Sequence, residues 1–322
     1  MDGRRLGEQL KQKFLHKFQI QNQRLRMINN LLSLRSKSNK MLSFSKLVGT
    51  GNDFIFIDLA DQPLRELTKR SPQEIAKNIC DRHKGVGADG LIFVQKASDP
   101  EKLKWDFYNR DASAAEFCGN AARCFGRWVD HYYKRDVFVF ESLIGQIKVQ
   151  KLVENDMASF CVYFVNLKAA PTLVDLRLAG RESASEVFAK LEKLYFLNSG
   201  VPHFVCHLKE DLNKEQRLKI VSHLRFHKIA GVAGANVSFL FEDQTQSFER
   251  GVEDFTLSCG TGVLASASCI WKEKQQTEIV LNTPGGQLRV EIVKTQGESI
   301  LEANLIGPAE FICEGQWNME NL

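Results

Sequence analysis

The sequence predicts an α/β chain of two similar halves, each carrying one helix that begins at a cysteine. Two observations lead there. From Met41 onward, short β-branched and aromatic runs alternate with helical stretches. A pair of spacings is then repeated. CGNA at Cys118 is followed 27 positions later by GQIKV at Gly145, and CGTG at Cys259 is followed 27 positions later by GQLRV at Gly286. Upstream, GNDFIFI from Gly51 and GVPHFVCH from Gly200 are both glycine turns feeding strands. Matched offsets of this kind mark an internal duplication. The cleft where two such halves meet is where a ligand is expected.

In chain order, residues 1–40 stand apart. Leu10, Phe14 and Phe18, then Leu25, Ile28 and Leu32, recur at helical spacing before the polar stretch SLRSKSNK (33–40). The favoured account is a start assigned too early, with Met41 as the true start. A transit peptide and a surface-binding basic amphipathic helix are the other readings. Strands are expected at MLSFSKLVG, FIFIDL, GLIFVQ, WDFYN, DVFVFES and GQIKVQK, and in the second half at HFVCHL, NVSFLF, EIVLN and GQLRVEIV. Helices are expected at SPQEIAKNICDRH, capped by Ser71, at AARCFGRWVDHYY and at NKEQRLKIVSHLRFH. TPGG reads as a hairpin turn, and the charge run KLEK (190–193) as a solvated helix face.

Composition excludes several classes. The 322 residues are 43% hydrophobic and 25% charged, as in soluble globular chains. No run of about 18 apolar residues predicts a membrane span. The net charge of +4 comes from one end, because residues 1–40 hold ten Lys or Arg and two acids. The rest carries 33 basic and 37 acidic residues, which gives no reason to expect nucleic-acid binding. The eight cysteines are scattered along a long chain with no secretory signal, so free thiols in a reduced, cytosolic setting are expected.

FCGNAARC (117–124) sets the chemical question. A metal site, a redox pair, a buried small residue and a catalytic thiol are all open for Cys118. First-turn N–H groups lack intrahelical partners and carry partial positive charge. A cysteine there is expected to have a lowered pKa. The glycine beside it admits a ligand to the backbone, and the same N–H groups can hold a carboxylate. Two such units face to face would hold a carboxylate with its α-carbon between two thiols. One thiolate could take the α-proton while the other thiol returns a proton to the opposite face. His203 in VPHF and Glu249 in FERG lie where they could set thiol protonation. No C-x2-C spacing is present to support either zinc or a redox disulfide. Cys124 and Cys269 read as packing residues. Asn52 and Asn109 read equally well as turn residues. His83 reads as structural, and its glycine-rich loop is not a P-loop.

Seven stretches then resemble the diaminopimelate epimerases: GTGNDF (49–54), DRHKGVGADG (81–90), NRDASAAEFCGNAARC (109–124), SGVPH (199–203), GANVSF (234–239), ERGVEDFTLSCGTG (249–262) and TPGGQL (283–288). The resemblance covers about 41–322. It implies interconversion of LL- and meso-diaminopimelate in lysine and peptidoglycan synthesis, without PLP or metal, by a cytoplasmic homodimer. It implies that Cys118 and Cys259 are the two bases, with His203 tuning Cys118 and Glu249 tuning Cys259. Gly119, Asn120, Gly260 and Thr261 would bind the reacting carboxylate. Asn52, Asn109, Asn236, Glu249 and Arg250 would hold the rest of the substrate. The implied fold has two lobes, 41–165 with about 308–322 and 166–307. Each is a curved, mostly antiparallel sheet around a central helix.

Five positions depart from the commonest pattern. Val201 stands where many members have Asn, and Gly90 where some have Gln. Ala112 and Ala121 replace glycines, and Phe255 replaces a polar residue. The last three bear on the distal pocket. A racemase of another amino acid and a catalytically idle binding protein are the competing expectations.

Overall fold

The computed structural model describes residues 41–99, 102–154, 157–164, 167, 169–175 and 185–319. The readings made for residues 1–40 lie outside the described residues.

The first half runs β1 (Met41–Gly49), β2 (Asn52–Asp58), α1 (Pro72–Ile79), β3 (Gly90–Lys96), β4 (Leu103–Asn109), α2 (Gly119–Tyr133), β5 (Val137–Ser142), β6 (Gly145–Glu154) and β7 (Met157–Phe164). After the two-residue β8 (Thr172–Leu173), the order recurs. It runs β9 (Leu191–Asn198), β10 (Pro202–Leu208), α3 (Lys214–Leu224), β11 (Asn236–Phe241), β12 (Gln244–Glu249), the short β13 (Asp254–Phe255), α4 (Gly260–Lys274), β14 (Glu278–Thr283), β15 (Gly286–Gln296) and β16 (Ser299–Gly307). Strand β17 (Glu310–Asn318) is the last strand and pairs antiparallel with β1.

The duplication is visible in the pairing. β2 and β3 are parallel across α1, and β10 and β11 are parallel across α3. Each pair is flanked by antiparallel neighbours, β1 and β4 in one case and β9 and β12 in the other. The two sets are joined where β7 pairs antiparallel with β16. Local chemistry explains the crossover helices. Ser71 and Glu74 form a reciprocal capping box at α1, with Pro72 at its start, and Asn213 and Gln216 do the same at α3.

Helices α2 and α4 match closely. Each is 15 residues long, starts after an extended cysteine N-cap and ends at a left-handed residue, Lys134 or Gln275. Neither cysteine side chain caps its helix, so the sulfurs are left to other work. Each helix is wrapped by its own sheet. Around α2, Phe125 lies 4.9 Å from Phe140 and 5.9 Å from Trp105, ring centre to ring centre. Around α4, Val263, Leu264 and Ala267 are buried against Leu281, Leu288 and Val290. Truncating Phe125 to Ala would cost about 3–5 kcal/mol in a core of this kind. Cys124 and Cys269 are 0% and 1% exposed and pack in these two clusters.

Two readings are corrected. SPQEIAKNICDRH stops being helical at Ile79, because the Asp81 carboxylate accepts from the His83 and Lys84 N–H groups and turns the chain. KLEK is not a helix face: Leu191 to Lys193 open strand β9. There Leu191 is buried, while Lys193 reaches Glu273 at 3.2 Å. TPGG is the hairpin turn expected, with Thr283 opposite Gly286.

Candidate active site

Helices α2 and α4 meet at their first residues. A Cβ placed on Gly260 would lie 3.6 Å from Gly119 Cα, and one on Gly119 would lie 3.9 Å from Gly260 Cα. Both would press on Leu305 Cδ2, at 3.0 and 3.2 Å. Glycine after each cysteine therefore lets the helix mouths abut. The duplication thus brings Cys118 and Cys259 to one place, together with two sets of first-turn N–H groups. All eight cysteines are free thiols. Among the described residues, no group of three His, Cys, Asp or Glu side chains is placed to hold a metal ion.

The thiols do not have the lowered pKa that a helix mouth alone predicts. Burial pushes Cys118 up to about 11, although the Ala121 and Asn120 N–H groups favour its thiolate, and the Glu249 charge pushes the same way as burial. Burial and the Glu249 carboxylate raise Cys259 well above the ordinary thiol value, against help from Thr261 and the Gly262 N–H. Desolvation outweighs the helix dipole here because the helix mouths abut, burying Cys259 and leaving Cys118 only partly exposed.

Glu249 ends β12. Its carboxyl accepts from the Thr256 hydroxyl and hydrogen-bonds the Cys259 thiol. Burial raises its pKa, and those two bonds only partly oppose the rise. The Glu249 charge also raises Cys118 from a distance.

His203 was expected to face Cys118, but both its ring nitrogens are engaged elsewhere. Nδ1 lies 3.0 Å from Ser238 Oγ, and Nε2 lies 3.0 Å from Thr261 Oγ1 and 3.2 Å from Asn236 Nδ2. The Asn236 amide is oriented by its Oδ1, which accepts from the Arg250 N–H at 2.9 Å. Its Nδ2 therefore donates to His203 Nε2, leaving Nδ1 as the protonated nitrogen, donating to Ser238. Thr261 Oγ1 in turn lies 3.4 Å from Cys259 Sγ. His203 thus belongs to the Cys259 side, because β10 and β11 place it opposite Asn236 beneath α4. Burial, with the Arg250 charge added, pushes its pKa down to about 3, so the imidazole is neutral.

The other candidates fall into two groups. Asn120 and Asn52 are linked directly, Asn120 Nδ2 donating to Asn52 Oδ1 at 2.6 Å. Asn52 donates in turn to Asp89 at 3.1 Å. Asp89 and Asp53 share Arg82, and Lys46 lies 2.9 Å from Asp53. Burial raises Asp53, but Arg82 and Lys46 outweigh it and hold the carboxyl below its usual range. The DRH and GADG motifs thus anchor Asn52. Asn109 is exposed and bonds Ser113 across a turn, which is the bland reading made for it. Among the described residues, no carboxylate pairs with the Arg250 guanidinium.

The unusual residues have local explanations. Ala112 has φ of 72°, a left-handed conformation that glycine tolerates better. Phe255 packs on Phe248 and Phe239, at 5.5 and 5.9 Å between ring centres, which makes it a core contact. Sequence reading missed Arg123, Thr50 and Ser258. Arg123 is 0% exposed, and its Nη2 donates to Thr50 Oγ1 and Asn120 Oδ1, both at 2.7 Å. The available signal was an arginine embedded among Ala121, Ala122, Cys124 and Phe125 in the apolar part of the helix.

Comparison with known proteins agrees with this architecture. The diaminopimelate epimerase family profile matches residues 44–162 and 195–312. The chain is 34% identical over 297 residues to the diaminopimelate epimerase of Aquifex aeolicus, covering 87% of this chain and 99% of that protein. Among solved structures, a Bacillus anthracis phenazine biosynthesis protein of the PhzF family superposes with a TM-score of 0.64 at 13% identity, covering 86% and 99% of the two chains. A hydroxyproline epimerase from Agrobacterium vitis, with bound trans-4-hydroxy-L-proline, superposes with a TM-score of 0.57 at 14% identity, covering 87% and 93%. At those identities the two structures speak to the fold alone.

Proposed function

The chain belongs to the diaminopimelate epimerase family, and we propose that it inverts one α-carbon of LL-diaminopimelate to give the meso isomer by a two-base thiol mechanism, independent of PLP. The observation that carries this reading is the abutment of two matched helix mouths, each led by a cysteine.

The reacting carboxylate sits against the first-turn N–H groups of Gly119, Asn120, Gly260 and Thr261. Two helix dipoles then favour the negative charge that develops as the α-proton leaves. Cys118 and Cys259 flank the α-carbon. One sulfur acts as thiolate and takes the α-proton, forming S–H and breaking C–H. The electron pair is held as a carbanion delocalised into the carboxylate. The opposite thiol then gives its proton to the other face, so the two sulfurs exchange protonation states in each turnover.

The raised thiol pKa values have a consequence. A thiolate formed at such a sulfur is a strong base, but it needs an acceptor for its own proton. Two candidates lie near Cys259, and their proton affinities decide between them. His203, pushed down to about 3, cannot hold the proton. Glu249, raised by burial and bonded to the thiol, is the better acceptor of the two. In this proposal the Cys259 S–H proton moves to Glu249, while neutral His203 orients the Thr261 hydroxyl against the sulfur. Arg250 takes the distal carboxylate, for which a guanidinium fork is suited. Asn52 and Asn236 hold the remaining polar groups. The resemblance extends the proposal to a cytoplasmic homodimer that serves lysine and peptidoglycan synthesis.

A substrate panel with the purified protein tests the assignment. Conversion of LL-diaminopimelate is expected to exceed that of monocarboxylate amino acids. Cys118→Ser and Cys259→Ser should each lower it by about 10²–10⁴-fold, the usual worth of one general acid or base. Preference for a monocarboxylate amino acid would reassign the substrate. Unchanged turnover in both serine variants would end the two-base mechanism.

A further inference from the structure

Arg123 is a fully buried cation, and among the described residues no carboxylate pairs with it. Buried charges are expected to be paired, so this one calls for an explanation. Its Nη2 bonds Thr50 and Asn120, and Nε reaches toward the Pro308 carbonyl at 3.5 Å. Nη1 is buried with no hydrogen-bond partner among the described residues. A Cβ on Gly307 would meet Leu288 Cδ2 at 2.3 Å first, and Arg123 Nε at 3.2 Å.

The groups Arg123 touches continue to both cysteines. Thr50 Oγ1 donates toward Ser258 Oγ at 3.0 Å, with Asn120 Oδ1 at 3.3 Å. Asn120 Nδ2 donates to the Ser258 carbonyl at 3.1 Å, besides Asn52. Ser258 immediately precedes Cys259, and Asn120 stands two residues after Cys118. Thr50 is itself strained: it is a β-branched residue at φ 47°, a conformation rare for such side chains. A strained residue in contact with three polar partners at a joint is held there by the surrounding structure.

Resting on the two-thiol reading above, we propose that Arg123 is a positioning residue that locks the joint beneath the two thiols through Thr50, Asn120 and Ser258, and that its unpaired charge stands behind Cys118 to favour the thiolate. The electrostatics add a smaller effect in the same direction, since burial, the first-turn N–H groups and Glu249 all act on Cys118 more strongly than Arg123 does. The Arg123 charge lowers the Cys118 pKa, and a Cys118 thiolate raises that of Arg123. Burial pulls the guanidinium itself down to about 10, so it stays charged at neutral pH.

The test uses the full-length protein and reads each thiol separately. Iodoacetamide labelling of Cys118 and Cys259 is followed against pH by peptide mass spectrometry, beside kcat and KM for diaminopimelate. Arg123→Met should move the Cys118 labelling profile to higher pH, each pH unit being a tenfold loss of thiolate at a given pH. Cys259 should move less. The same variant should lose kcat by about 10–100-fold with KM nearly unchanged, as expected when catalytic groups are misplaced by about an ångström. Arg123→Lys should restore the labelling profile and only part of kcat. Thr50→Val keeps the shape and the charge, so it should lower kcat without moving the profile. A folded Arg123→Met protein with wild-type profile and kcat would overturn the proposal. Should that variant not fold, wild-type kcat in Thr50→Val would overturn it instead. Labelling needs no substrate, so an inactive wild type would count against the epimerase reading and leave the Cys118 result standing.

Discussion

Gly119 and Gly260 face each other across the joint between the lobes, close enough that a methyl group on Gly260 would reach 3.6 Å from Gly119 Cα. The contact explains why each catalytic candidate is followed by glycine.

Gly260→Ala tests that contact. The new methyl must displace the end of Leu305, which it would meet at 3.0 Å. Overpacking costs about 1–3 kcal/mol, and alanine recovers up to about 1 kcal/mol of helix propensity. The stability loss should therefore stay near or below about 2 kcal/mol. Turnover should fall about 10–100-fold, because the helix mouths are pushed apart. A variant with wild-type turnover would show that the spacing of the mouths is not limiting.

His203 should make the fold acid-sensitive. Its folded pKa, about 3, lies below the ordinary 6.5, so between those values the unfolded chain binds the extra proton. Stability from this group is full above pH 6.5 and is lost as pH falls toward 3. From pH 7 to pH 4 the loss should be on the order of 3 kcal/mol. Urea unfolding at both pH values should show that difference shrink in His203→Gln. Equal pH dependence in the two proteins would contradict the depressed value.

Arg250→Ala should raise KM for diaminopimelate more than it lowers kcat, since the distal carboxylate is bound in ground and transition states alike. A charge-assisted hydrogen bond contributes about 1.5–3 kcal/mol, so the expected rise is about 10–100-fold. An unchanged KM would remove Arg250 from the substrate site.

The duplication was legible because both copies keep the same element lengths. A 27-residue offset becomes a 15-residue helix, a left-handed cap, a six-residue strand and a glycine-led partner strand. KLEK was not legible, because a short charge run looks the same on a strand edge as on a helix. The thiol pKa values were misjudged for a different reason. The helix mouth is written in the sequence, but the abutting of the two mouths that desolvates the sulfurs is not. Arg123 escaped notice because Thr50 is 73 residues away and Pro308 is 185 away, and only the folded joint brings them together. The expected tie between His203 and Cys118 failed likewise, because strand register places His203 opposite Asn236 and so beneath Thr261.

The central claim is that two thiols act on opposite faces of one carbon. It is tested most directly by the initial-rate distribution of deuterium when LL-diaminopimelate is turned over in deuterated buffer. The account predicts one α-deuterium in each newly formed meso molecule and none in the recovered LL substrate. The donating thiol carries a solvent deuteron, while the accepting thiol returns only the proton it took. Deuterium appearing equally in substrate and product, or product that keeps the original proton, would mean a single base and would contradict the account.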